Sequence, residues 1–127
     1  MILDSMKIAI PVDDKKGLES HVFEHFGHAP YFLIVDIRYG KIVDWEIKEN
    51  PYVESHTPGQ LPYWLKELSV NVLICQGLGG RARIFFEKLG IKVVTGVSGI
   101  AGNLIDAYLK EKLSSKDYTP SSKWNKS

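Results

Sequence analysis

The chain has 127 residues, of which 44% are hydrophobic, enough for one apolar core without disulfides or a structural metal. Sixteen basic residues against fifteen acidic ones leave a formal net charge of +1, which argues against a polyanion-binding surface and therefore against a nucleic-acid partner. The single cysteine, Cys75, excludes an internal disulfide and a cluster cage made only of thiolates from one chain.

No apolar run approaches the length of a membrane span, and Met1 to Ser5 leads into a strand-like segment rather than a signal-peptide core. The expectation is a cytoplasmic protein with no membrane contact. Lys7 to Val12 predicts a short apolar strand, with a polar loop opening at Asp13, Asp14 and Gly17. Tyr31 to Asp36 and Lys41 to Lys48 predict a hairpin about Tyr39-Gly40, and Val43, Trp45 and Ile47 alternate there with Ile42, Asp44 and Glu46. Thr57-Pro58-Gly59-Gln60 has capping-box spacing, and Leu61, Trp64, Leu65 and Leu68 follow at helical intervals.

Val70 to Cys75 predicts a buried strand. Ala82, Phe85, Phe86 and Leu89 mark a second helix, stopped by Gly90. Ile91 to Thr95 predicts the last strand, and Ala101, Leu104, Ile105 and Tyr108 the last helix. Ser114 to Ser127 loses periodicity and reads as a flexible tail, so one domain is expected over residues 6–113 with Met1 to Ser5 as an extension.

Strands joined through helices run parallel with right-handed crossovers, whereas a hairpin is antiparallel. The expected fold is thus α/β, a mixed five-stranded sheet of order 3-2-1-4-5 with strand 2 antiparallel, layered between helices. That topology gathers the loops Asp13 to Pro30, Glu49 to Pro58, Gln76 to Arg81 and Gly96 to Gly102 on one edge, and ligands of open α/β sheets bind at the carboxyl ends of parallel strands. All four histidines, His21, His25, His28 and His56, fall in these loops. Imidazoles suit transition metals, and the interval from His25 to His28 suits two ligands from one loop, although most exposed loop histidines bind nothing.

Gly77-Leu78-Gly79-Gly80-Arg81-Ala82 formally matches a dinucleotide-binding turn, but the strand that follows ends Val94-Thr95-Gly96 without the carboxylate that would hold a ribose. These glycines suit backbone contact with an anion, with Arg81 and Arg83 adding charge, as well as they suit a plain tight turn. Cys75 lies in an apolar strand and reads as structural. Asp13 lacks converging carboxylates for two-metal chemistry, and no serine sits in a nucleophile elbow.

The ordered strings His25-Phe26-Gly27-His28-Ala29-Pro30-Tyr31-Phe32, Pro58-Gly59-Gln60-Leu61-Pro62 and Gly77-Leu78-Gly79-Gly80-Arg81-Ala82 resemble the dinitrogenase iron-molybdenum cofactor biosynthesis family over about Met6 to Leu113. The resemblance implies a three-layer, ribonuclease-H-like fold and a non-catalytic protein that binds or hands over iron-sulfur or iron-molybdenum-sulfur clusters. Its partners would be cluster-assembling or cluster-receiving proteins. The resemblance puts cofactor binding at His25. Around it the expected cofactor contacts are Gly27, His28, Gly77, Gly79, Gly80 and Arg81, with His25, His28 and His56 as metal ligands. Two alternatives stand beside the carrier: a ribonuclease-H-like metal-dependent nuclease using Asp13, and a protein-protein adaptor without a cluster, using the hairpin edge at Trp45 and the tail.

Overall fold

In a computed structural model, residues 5–54 and 57–111 are described; His56, residues 1–4 and the tail from Ser114 to Ser127 lie outside them. The elements run β1 (Ser5–Val12), β2 (Tyr31–Arg38), β3 (Lys41–Glu49), α1 (Gln60–Glu67), β4 (Val72–Ile74), α2 (Gly80–Leu89), β5 (Lys92–Val94) and α3 (Ala101–Leu109). Two short 3-10 turns, Gly17–Glu19 and Phe26–His28, interrupt the loop between β1 and β2. The five-stranded sheet has the order β3-β2-β1-β4-β5, with β2 antiparallel to both neighbours and β4 parallel to β1 and β5. This is the expected topology.

The sheet is covered on both faces, which is why its central strands are apolar at nearly every position. Ile8, Ile10 and Val12 of β1 with Leu33, Val35 and Ile37 of β2 form one core with Ala101 and Ile105 of α3. The alternate residues, Ala9, Phe32, Ile34 and Leu73, join Leu61 and Leu65 of α1 and Phe86 of α2 in a second core. Helices α1 and α2 therefore share one face, and α3 covers the other. Among the described residues no helix is long and apolar enough to cross a membrane.

Local chemistry explains most boundaries and three departures. The hairpin closes in two residues, Tyr39 and Gly40, both at positive φ as this tight turn requires. A bulge pairs Asp36 with Asp44 but Ile37 with Ile42, leaving Val43 as the extra residue. The expected alternation is thereby corrected: Ile42 and Ile47 both pack on the α3-side core, which an unbroken period of two forbids. Regular α1 begins at Gln60 with Gly59 at the N-cap, two residues later than the capping-box spacing suggests, and Pro62 sits harmlessly in the first turn. Finally, Val70 and Ile91 are buried not in strands but in turns that close helices, their N–H groups donating to Leu65 O and Phe86 O.

Trp45 is not simply an exposed edge residue. A Cβ built on Gly17 would lie 2.4 to 2.7 Å from the Trp45 indole, and Gly17 has φ +71°. On the other side, a Cβ at Gly102 would come within 2.9 Å of Leu18 O, so the first 3-10 turn is clamped between β3 and α3. Gly17→Ala is expected to destabilise the protein by roughly 2–5 kcal/mol, the sum of a left-handed backbone and overpacking. Urea denaturation of Gly17→Ala and Gly17→Ala/Trp45→Ala tests this assignment: removing the indole should restore the packing part and leave the backbone part.

Candidate cluster-binding edge

The long loop after β1 is sewn into the sheet rather than hanging from it. Phe23 N–H donates to Pro11 O at 2.8 Å, extending β1 by a bridge from Val12 to Val22. Val22 N–H donates to Gly99 O at 2.9 Å, while Ser20 O accepts from Ala101 N–H at 2.8 Å, which ties the loop to the start of α3. Further on, Gly77 N–H donates to Glu24 O at 2.8 Å and Phe26 N–H to Gly77 O at 3.0 Å, so His25 runs parallel beside Gly77. Two strings far apart in sequence thus lie side by side, joined by one parallel bridge, at the carboxyl edge of the sheet.

Phe26 fixes the turn that follows. Its ring is buried edge-on between Phe32, at 5.5 Å between centroids, and Phe86, at 5.4 Å. With Phe26 pinned, His28 N–H donates to His25 O at 3.1 Å, and the two imidazoles stand 4.5 Å apart between ring centroids. Asn50, itself buried, closes the far end: its Nδ2 donates to Ala29 O at 2.9 Å and its own N–H to Pro30 O at 3.0 Å. Gly27 has no side chain to set against the ring; a Cβ there would lie 3.9 Å from His25 Nδ1 and Cε1.

His25 is only 6% exposed, and both of its ring nitrogens are shielded from water. Burial, then the neighbouring His28, pushes its imidazole below the usual 6.5, with Glu24 opposing. A neutral ring at pH 7 is the form that ligates a metal. Because the unfolded chain protonates His25 more readily, the native state loses stability as pH falls from 6.5 through the lowered folded value, by at most about 1.4 kcal/mol per pH unit for one proton. Urea midpoints between pH 5 and 8 should show this slope in the wild type, and His25→Gln should reduce it.

Helix α2 starts beside this pair. Gly79 is its N-cap, no side chain closes the cap, and Arg83 N–H makes the first helical bond, to Gly79 O at 3.1 Å. The N–H groups of Gly80, Arg81 and Ala82 therefore have no intrahelical acceptor. A Cβ at Gly80 would meet nothing within 4 Å, so the approach to this turn is open. Arg81 is exposed, whereas Arg83 is half-buried and donates from Nη2 to Thr95 Oγ1 at 3.3 Å. Cys75 lies under the edge, fully buried among the residues of the α2-side core, and burial pushes its thiol up to about 12.

The structure thus gathers His25, Gly27, His28, Gly77, Gly79 and Gly80, with Arg81 at the exposed rim. His21 lies apart from the pair, bridged to Ile100. His56 lies outside the described residues, among which no group of three or more His, Cys, Asp or Glu residues is arranged to hold a metal ion. Asn50 and Thr95 were missed by sequence reasoning. The only available signal was a polar residue at the end of a strand, too common to single out.

Comparison with known proteins supplies the family. The model described as dinitrogenase iron-molybdenum cofactor matches residues 6–111. An uncharacterized protein of Methanocaldococcus jannaschii is 34% identical over 110 residues, covering 85% of this chain and 89% of that protein. The crystal structure of PH0822 superposes with a TM-score of 0.78 at 38% identity, covering 87% of this chain and 96% of the other. The NMR structure of a candidate NifB protein from Thermotoga gives 0.72 at 28% identity, covering 92% and 98%. The chain belongs to the dinitrogenase iron-molybdenum cofactor family.

Proposed function

We propose that this domain is a non-catalytic carrier that binds an iron-sulfur or iron-molybdenum-sulfur cluster at the edge formed by His25, His28 and the Gly77–Gly80 turn. The observation that carries the reading is His25 itself, a buried imidazole of lowered proton affinity, held beside Gly77 and 4.5 Å from the His28 ring. The residues fit such a cargo. A cluster that brings its own sulfides needs only an imidazole or two as protein ligands, and its sulfides accept hydrogen bonds from backbone N–H groups such as those opening α2. The partners are then the proteins that assemble the cluster and those that receive it.

An anaerobic optical titration of the apo protein with iron-sulfur and iron-molybdenum-sulfur clusters tests the proposal. Saturable binding at one cluster per chain is the expected result, and the absence of cluster-dependent absorbance overturns it. The nuclease alternative draws no support from the placement of Asp13, which is exposed and belongs to no group of potential metal ligands among the described residues. The adaptor alternative rests on Trp45, whose indole packs on Gly17 while the residue stays 41% exposed, and nothing in that contact identifies a partner.

A further inference from the structure

The two arginines of α2 differ in standing. Arg81 points into solvent, whereas Arg83 is half-buried and anchored on Thr95, a buried residue just past the end of β5. Among the described residues no carboxylate lies within ion-pair distance of Arg83. A guanidinium carries five N–H donors in a planar fork, and a neutral hydroxyl neither uses most of them nor balances the charge. Holding a partly desolvated cation without a counter-ion is unfavourable unless an anion arrives to complete it.

That cation belongs to the same edge as His25. The segment at His25 lies beside Gly77, and Gly96 N–H donates to Gln76 O at 2.9 Å, so the backbone of Thr95 and Gly96 is the next row. Two strand spacings, about 10 Å, separate the outer rows. His25 and Arg83 also share a side of the sheet: Phe23, two residues before the extended histidine, and Cys75, whose thiol feels the charge of Arg83, pack in the core under α2. A ligand a few ångströms across, bound at the imidazole, comes within reach of the guanidinium.

Resting on the carrier reading, we propose that Arg83, positioned by Thr95, sets the charge of the ligand, so that the edge selects anionic metal-sulfur units. Charge-assisted bonds from a fixed guanidinium are strong, and added salt screens the attraction between that charge and an approaching dianion. The test uses two dianionic probes, tetrathiomolybdate and a thiolate-ligated [4Fe-4S] cluster, titrated anaerobically against wild type, Arg83→Gln, Arg83→Lys and Thr95→Val at several salt concentrations. Arg83→Gln should weaken binding about tenfold to a hundredfold and flatten its salt dependence. Arg83→Lys should restore the salt dependence without the full affinity, and Thr95→Val should keep the salt dependence with a smaller loss. Thermal melts of each variant separate these effects from misfolding. If the wild type binds and Arg83→Gln matches it in affinity and salt slope, this inference fails while the carrier stands. An affinity loss that follows melting temperature alone and is indifferent to salt makes Arg83 structural and also overturns it. If the wild type binds neither probe, the carrier reading falls and the inference with it.

Discussion

Replacing His25 with alanine should weaken cluster binding by at least about a hundredfold while leaving the fold intact. The magnitude follows from comparison with outer residues. Removing a group that merely orients a metal ligand costs about 10–100-fold in affinity, so removing a direct ligand should cost no less. The fold should survive because Phe26 and the backbone bonds to Gly77, rather than the imidazole, hold this segment in place. His28→Ala should have a smaller effect. Its ring is half-buried beside His25, where it lowers the proton affinity of the buried ring and can supply a second donor. Anaerobic titrations of both variants, with far-ultraviolet circular dichroism as the folding control, measure the difference. Equal affinity in wild type and His25→Ala would remove His25 as a ligand and shift attention to the glycine turn.

The topology was legible because period and connection length carry it. Both faces of β1 and β2 are buried along most of their length, so their runs are largely apolar, and the β2–β3 turn is too short for anything but a hairpin. From the order 3-2-1-4-5 alone, His25, His28 and the Gly77–Gly80 turn had to lie on one edge. The errors came where apolar residues report burial rather than backbone conformation. Val70 and Ile91 are as buried as strand residues yet close the ends of α1 and α2, and the Val43 bulge reverses the phase of β3 without any glycine or proline to announce it. What the site adds beyond topology is made of single long-range bonds. Asn50 to Ala29 and Arg83 to Thr95 each join residues from different elements, and neither has a local pattern that could reveal it.

Phe26→Ala should be the most damaging single change at the edge, costing about 3–5 kcal/mol of stability and most of the binding. Phe26 is 3% exposed and meets two other aromatic rings edge-on, so its removal leaves a cavity between β2 and α2 as well as losing the transfer free energy of the ring. It is also the residue whose N–H bonds Gly77 O and whose carbonyl accepts from Ala29 N–H, so a freed side chain loosens both ends of the 3-10 turn. His25 then loses the burial that keeps its imidazole neutral, and its proton affinity should rise toward the ordinary value as the segment becomes wet. Two measurements distinguish this coupled loss from simple destabilisation. Phe26→Leu, which fills much of the cavity, should recover more than half of the stability, seen as the urea midpoint. It should also return the His25 C2-proton titration, followed by NMR, toward the wild-type position. If Phe26→Ala lowers the midpoint but leaves the His25 titration unchanged, the aromatic anchor serves the core alone and the imidazole is positioned by the Gly77 backbone bonds.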